Sequence, residues 1–157
     1  MSRTLKALIT LITFSTVLAA QTPPRKPLEG VWKVVEIAGT GADASKNANP
    51  QPSLFIFTRK HYSMMLVPGT QPRALFKSVI EATNEEKISA FDSFVANTGT
   101  YGVMGSTLTF RPMVARYPNF MVGGSAEYEF RIEGNTLRLA GQATGPELTR
   151  LKLVRVE

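Results

Sequence analysis

From Thr107 to Val156 the sequence alternates apolar and polar residues so regularly that antiparallel sheet is the structure it can best support. Leu108 and Phe110, Tyr128, Phe130 and Ile132, Leu137 and Leu139, and Leu151 and Leu153 share one parity of their segments. Thr107, Thr109, Glu127, Glu129, Arg131, Arg138 and Lys152 share the other. Successive side chains of a strand point to opposite faces, so each segment presents one apolar face. Turn formers join the segments at Gly105-Ser106 and at Glu133-Gly134-Asn135. A meander of this kind either packs on a second sheet or closes on itself, and even spacing with hairpin links favours closure.

The same grammar extends upstream. Gly30 to Ile37 is rich in β-branched residues and holds the only tryptophan, Trp32. Ser53 to Thr58 and Tyr62 to Val67 flank the polar turn Arg59-Lys60-His61 as a hairpin, and Thr100 to Met104 is a further strand. With Thr107 to Ala115, Glu127 to Ile132, Thr136 to Ala140 and Leu148 to Val156 this predicts an all-β chain, an eight-stranded antiparallel up-and-down barrel. Its first strand must pair with both the second and the last.

One short helix is predicted over Thr83 to Val95, before the fourth strand. Thr83 or Asn84 suits its cap, Glu85 and Glu86 its positive end, and Ile88, Phe91, Phe94 and Val95 form an apolar stripe. Asn97 and Gly99 then end it. Ala38 to Pro52 reads as a long polar loop, and Arg73 to Ile80 follows no clear period.

The first 20 residues stand apart from that pattern. Arg3 and Lys6 precede an apolar run from Ala7 to Ala20, about 14 residues against the roughly 20 that span a bilayer. Small residues at Ala19 and Ala20 then meet the polar Gln21-Thr22-Pro23-Pro24, which reads as a secretory signal peptide cleaved after Ala20, or alternatively after Ala19. Residues 21–27 form a proline-rich linker and residues 28–157 the barrel domain. The expected location is periplasmic or secreted, with no membrane anchor after cleavage. Cleavage removes Arg3 and Lys6 and no acid, so 18 basic residues become 16 against 12 acidic, a net +4. Those cations are scattered along the chain, which argues against a nucleic-acid partner. With no cysteine, stability has to come from burial instead of disulfides.

Chemical motifs are sparse. His61 sits alone in a turn and has no ligand set around it, so no metal and no cofactor are expected. Gly123-Gly124-Ser125-Ala126-Glu127 lacks the Gly-x-Ser-x-Gly pattern of a strained nucleophile turn. Gly39-Thr40-Gly41-Ala42-Asp43-Ala44 fits a dinucleotide fingerprint in form, but Asn47, Asn49, Pro50 and Pro52 follow where a helix is required. Glu127 and Glu129 lie on the polar parity. Glu36 shares parity with Trp32 and Val34, which makes it either an interior polar anchor or a surface residue at the strand end.

What remains is the inward lining. Phe55, Phe57, Tyr62, Met64, Tyr101, Phe110, Tyr128 and Phe130 are the candidate ligand-binding residues. Around a barrel lumen they either line a pocket for a small hydrophobic or amphipathic molecule or fill the barrel outright.

Taken in order, Gly30-Val31-Trp32, the hairpin ending in Phe57-Thr58, the helix running into Phe94, Thr98-Gly99-Thr100-Tyr101, Pro118 with Gly123, Phe130 with Gly134, Leu137 with Leu139, and Leu153-Val154-Arg155 resemble the bacterial lipocalin-like domain proteins. The resemblance runs from about Leu28 to Val156. It implies a lipocalin-type (calycin) barrel closed at one end, with Trp32 packed there against Arg155, or Arg150 in reserve, as a structural pair. It also implies a histidine in the fifth strand and an arginine in the sixth, where this chain has Phe110-Arg111 and Tyr128-Glu129. The leading expectation is an exported monomer that binds a small hydrophobic ligand without altering it. The alternatives are an isomerase, cyclase or hydratase using Tyr62, Tyr101 or Tyr128 as acid, and a solid barrel making envelope contacts through Ala38 to Pro52.

Overall fold

The computed structural model describes residues 27–39, 46–141 and 149–157. The expected signal peptide, most of the linker, part of the loop after the first strand and Leu148 lie outside the described residues. The strands are β1 (Gly30–Ala38), β2 (Lys46–Asn47), β3 (Leu54–Phe57), β4 (His61–Leu66), β5 (Val95–Met104), β6 (Thr107–Ala115), β7 (Ala126–Glu133), β8 (Thr136–Gly141) and β9 (Arg150–Arg155). Each long strand pairs antiparallel with the next, and β1 pairs again with β9, so eight strands close into a barrel. The two-residue β2 is an addition on the β1 edge beyond β3. It places the one α-helix among the described residues, α1 (Asn84–Asp92), after β4 in the strand count.

Closure buries the expected parity. Leu108, Phe110, Leu137, Leu139, Leu151 and Leu153 are buried, together with Trp32, Val34, Phe55, Phe57, Tyr62 and Met64. Two bulges correct the simple alternation. In β1 the register against β9 shifts between Val34 and Glu36, so Ile37 packs on the core and Glu36 turns outward to pair with Lys46 at 3.0 Å. Glu36 is therefore a surface residue. In β5 the register against β6 shifts between Thr98 and Gly99, where Gly99 faces Pro112. A Cβ at Gly99 would run into the Arg111 carbonyl, and Pro112 has no N–H to give the ladder, so both residue types suit an irregular site.

The helix is shorter than its apolar residues suggest. Thr83 caps it with a capping box: the Glu86 N–H donates to Thr83 Oγ1 at 3.2 Å and the Thr83 N–H donates to Glu86 Oε2 at 2.9 Å. It ends at Asp92, so Val95, Asn97 and Gly99 belong to β5. The helical part of the expected stripe does not enter the core, since Ile88 is 61% and Phe91 44% exposed, whereas Val95, in β5, packs against it. Cations hold the helix in place. Arg116 stacks 4.7 Å from the Phe91 ring centre and 3.9 Å from that of Tyr117, and Arg73 lies 4.8 Å from Phe94.

The end of the barrel that carries the tight turns is sealed by Trp32 and Arg155. They are cross-strand neighbours, and the Arg155 guanidinium lies 4.0 Å from the indole centre. The indole N–H donates to the Leu28 carbonyl at 2.8 Å, and Arg155 donates to the carbonyls of Pro27 and Glu29. Together they draw the segment before β1 across the barrel end and bury Leu28. Gly30 sits at φ +136°, where a Cβ would strike the Glu157 carbonyl and the Arg155 guanidinium, so this crossing requires glycine.

Trp32→Ala is expected to lower the unfolding free energy by about 3–5 kcal/mol, the usual loss for a large core aromatic. In a double-mutant cycle, Trp32 and Arg155 should couple by about 0.5–2 kcal/mol. Urea unfolding followed by circular dichroism measures both, and additive single effects would remove the stacking from the account.

Candidate functional site

The eight inward residues expected to bind ligand fall into two groups. Phe55, Phe57, Tyr62, Met64 and Phe110 are buried and pack on one another. The Tyr62 and Phe110 rings stack with centroids 4.2 Å apart, and Phe110 lies 6.4 Å from Phe55 and 6.0 Å from Phe57. These rings fill the middle of the barrel. Tyr128 sits against that cluster, 5.4 Å from Phe110, and remains half-buried.

Tyr101 and Phe130 are placed differently. They reach the turn end of the barrel, where they line a cavity of about 560 Å³ with Pro27, Leu28, Arg59, Lys60, Thr100, Gly102 and Val103. The cavity exists because β5 runs on past the β3–β4 hairpin: β4 begins at His61, opposite Thr100, yet β5 continues to Met104. Val103 shares the inward parity of Tyr101 but has no β4 residue beside it and is 49% exposed. Leu28, held by Trp32 and Arg155, forms the facing wall. The Arg59-Lys60 turn places two cations at the rim.

Tyr101 is fixed in its orientation. Its ring meets Phe57 edge-on at 5.3 Å and its hydroxyl donates to the Thr58 carbonyl at 2.8 Å. Deeper in the barrel, the Tyr62 hydroxyl donates to Asn97 Oδ1 at 2.5 Å, and both residues are buried. Burial pushes the phenols of Tyr62, Tyr101 and Tyr128 above their ordinary range. Tyr128 adds to the shift at Tyr62, and Glu29 adds to that at Tyr101. All three are protonated at neutral pH, and the hydroxyls of Tyr62 and Tyr101 are committed to acceptors within the protein.

Sequence reasoning missed several residues of this region. Val103 was within reach, since it follows Tyr101 by one period of two. Leu28 carried no periodic signal, and Arg59 and Lys60 were legible only as a turn. Asn97 was read as a helix terminator and is the buried partner of Tyr62. His61 opens β4 with an exposed side chain, and no group of three or more His, Cys, Asp or Glu side chains able to hold a metal occurs among the described residues.

Comparison with known proteins gives one family. A family model described as a lipocalin-like domain matches residues 29–152. Similar solved structures include a lipocalin-like protein from Bacteroides uniformis, at 12% identity and a TM-score of 0.46, covering 83% of this chain and 99% of that one. Another is an uncharacterized protein from Bacteroides eggerthii, at 9% identity and a TM-score of 0.47, covering 82% and 98%. A redesigned β-barrel is similar at 9% identity and a TM-score of 0.43, covering 83% and 93%. No curated protein matches the chain.

The buried phenols make stability depend on alkaline pH. Unfolded tyrosines ionise near pH ~10, and in the folded chain these three resist ionisation. Their contribution is therefore complete below the unfolded value and is lost as pH rises through the folded values. Urea midpoints should hold up to about pH 9 and fall above about pH 10, less steeply in Tyr62→Phe. A midpoint that stays flat through that range would contradict the assignment.

Proposed function

The chain belongs to the lipocalin-like domain family, and from that premise we propose that it binds a small hydrophobic or amphipathic molecule at the turn end of its barrel. The observation that carries the reading is the cavity between Leu28 and the inward residues of β5 and β7. Its volume, about 560 Å³, falls in the range of small-molecule sites. Leu28, Tyr101, Val103 and Phe130 offer an apolar wall to a hydrocarbon portion. Arg59 and Lys60 at the rim favour an acidic head group facing solvent. This site takes two of the eight inward residues as ligand contacts and gives the other six a supporting role, because the central rings are already packed on one another.

The proposal includes export to the periplasm or beyond, supported by the basic start, apolar run and small residues of the first 20 positions. Intact-mass measurement of the protein recovered from the exported fraction of its producing cell should show a chain that begins at Gln21. A full-length mass confined to the cytosol would remove export from the reading.

Ligand binding is tested by native mass spectrometry of the purified chain with dodecanoate and with a panel of longer fatty acids and isoprenoid acids. A one-to-one adduct is expected with the wild type and should be lost in Val103→Trp, whose ring occupies the cavity from a half-exposed position without entering the packed core. An adduct that survives Val103→Trp, or none across the panel, would refute this site.

A further inference from the structure

On the outer face of the barrel, the register sets an unusual row of charges. Arg131 on β7 pairs with Arg138 on β8, Arg138 pairs with Lys152 on β9, and Lys152 pairs with Glu36 on β1. Directly paired residues of antiparallel strands share a face with Cβ atoms about 5 Å apart, and like charges there repel. The neighbouring row reads Glu129, Ala140, Arg150 and Ala38. Its two alanines make a low floor between long charged side chains, and the two rows line a groove of about 390 Å³.

The ion pairs leave a definite charge surplus. Glu36 is held by Lys46 at 3.0 Å, and Arg131 is held by Glu133 at 2.8 Å. Among the described residues, Arg138, Arg150 and Lys152 take part in no ion pair, and neither does Glu129. Three cations against one carboxylate leave the groove with a net charge of +2. Arg138 is a direct neighbour of Lys152 and a diagonal neighbour of Arg150, so two guanidinium-bearing side chains and one ammonium-bearing side chain spring from Cβ atoms within about 8 Å of Arg138. Guanidinium groups recognise carboxylate and phosphate oxygens in pairs, and several donors around one point suit a tetrahedral group with three free oxygens better than a planar carboxylate.

We propose that the groove over β7, β8, β9 and β1 is a binding site for a phosphate monoester dianion, with Arg138, Arg150 and Lys152 as its donors. The like-charge row is then a receptor on the opposite side of the barrel wall from the packed core. A bound dianion neutralises the surplus and relieves the repulsion between strands β8 and β9. None of its three donors lines the turn-end cavity, so either site can fail without the other.

The test uses the purified chain, Arg138→Gln and Arg150→Gln, with inorganic phosphate as probe in isothermal titration calorimetry and thermal unfolding. Both substituted side chains are exposed on the outer face. The wild type should bind one phosphate saturably and unfold at higher temperature as phosphate is added. Each variant should bind about tenfold more weakly, as expected for loss of one charge-assisted contact. Without phosphate, Arg138→Gln should be at least as stable as the wild type, because it breaks the row of cations. Sedimentation with phosphatidylcholine vesicles containing phosphatidic acid separates the two sources of such a group. Co-sedimentation that Arg138→Gln abolishes and inorganic phosphate competes away identifies a lipid head group, whereas a calorimetric signal without it identifies a soluble phosphate ester. No response to phosphate or to the vesicles, or responses equal in wild type and variants, overturns the proposal.

Discussion

The structure depends on β1 being paired along both edges. One edge takes β3 and then the short β2, and the other takes β9. This seam removes the free edges that an eight-stranded meander would otherwise present. The bulge at its centre decides what each face receives. Without it Glu36 would follow Trp32 and Val34 into an apolar interior, where an unpaired carboxylate costs several kcal/mol. The bulge gives up one ladder position, turns Ile37 inward and sends Glu36 out to Lys46, where that lysine's hydrogen bond and charge hold the carboxyl below its ordinary pKa.

The seam also fixes where empty space is left. Trp32 and Arg155 carry Leu28 across the barrel end, but the segment reaches only part of the way, and β5 extends beyond the β3–β4 turn on the far side. The middle has no such gap, because Tyr62, Phe55, Phe57 and Phe110 meet there as large rings. Volume for a ligand therefore lies at the turn end, bounded by the residues that close the barrel. The long β4–β5 connection sits at the other end. Its helix rests on Arg116 and Arg73 instead of contributing side chains to the core, so its apolar residues stay exposed.

Much of the fold was legible because burial in a closed sheet enforces a period of two. The strands after Gly105 and the facing of Trp32 and Arg155 follow from that period and from the family resemblance. The departures occur where the period is interrupted. A bulge leaves no mark in a β-branched run such as Val34-Val35, so the outward turn of Glu36 was open until the register was known. Phe94 and Val95 continue a helical stripe in sequence, but the pairing of Val95 with Leu66 across the sheet outweighs the weak preference of one more helical turn. The eight inward residues were correctly assigned to one parity, yet parity does not distinguish a ring that lines a space from one that fills it. The cationic row lay deeper still, since Arg131, Arg138 and Lys152 are scattered in sequence and become neighbours only through strand pairing.

That row also shows which force sets the register. Like charges directly opposed on adjacent strands are destabilising, on the scale of the roughly 0.2–1 kcal/mol that a favourable cross-strand pair contributes. Sliding β8 or β9 by one residue would separate them, but it would also carry Leu137 and Leu139, or Leu151 and Leu153, from the core to solvent. Each of these leucines is at most 3% exposed, and each contributes roughly 1.5–3 kcal/mol by its burial. Two leucines on one strand outweigh two repulsive pairs, so the sheet cannot relax by slipping. The inward face dictates the register, and the outward face must present whatever charges that register brings together.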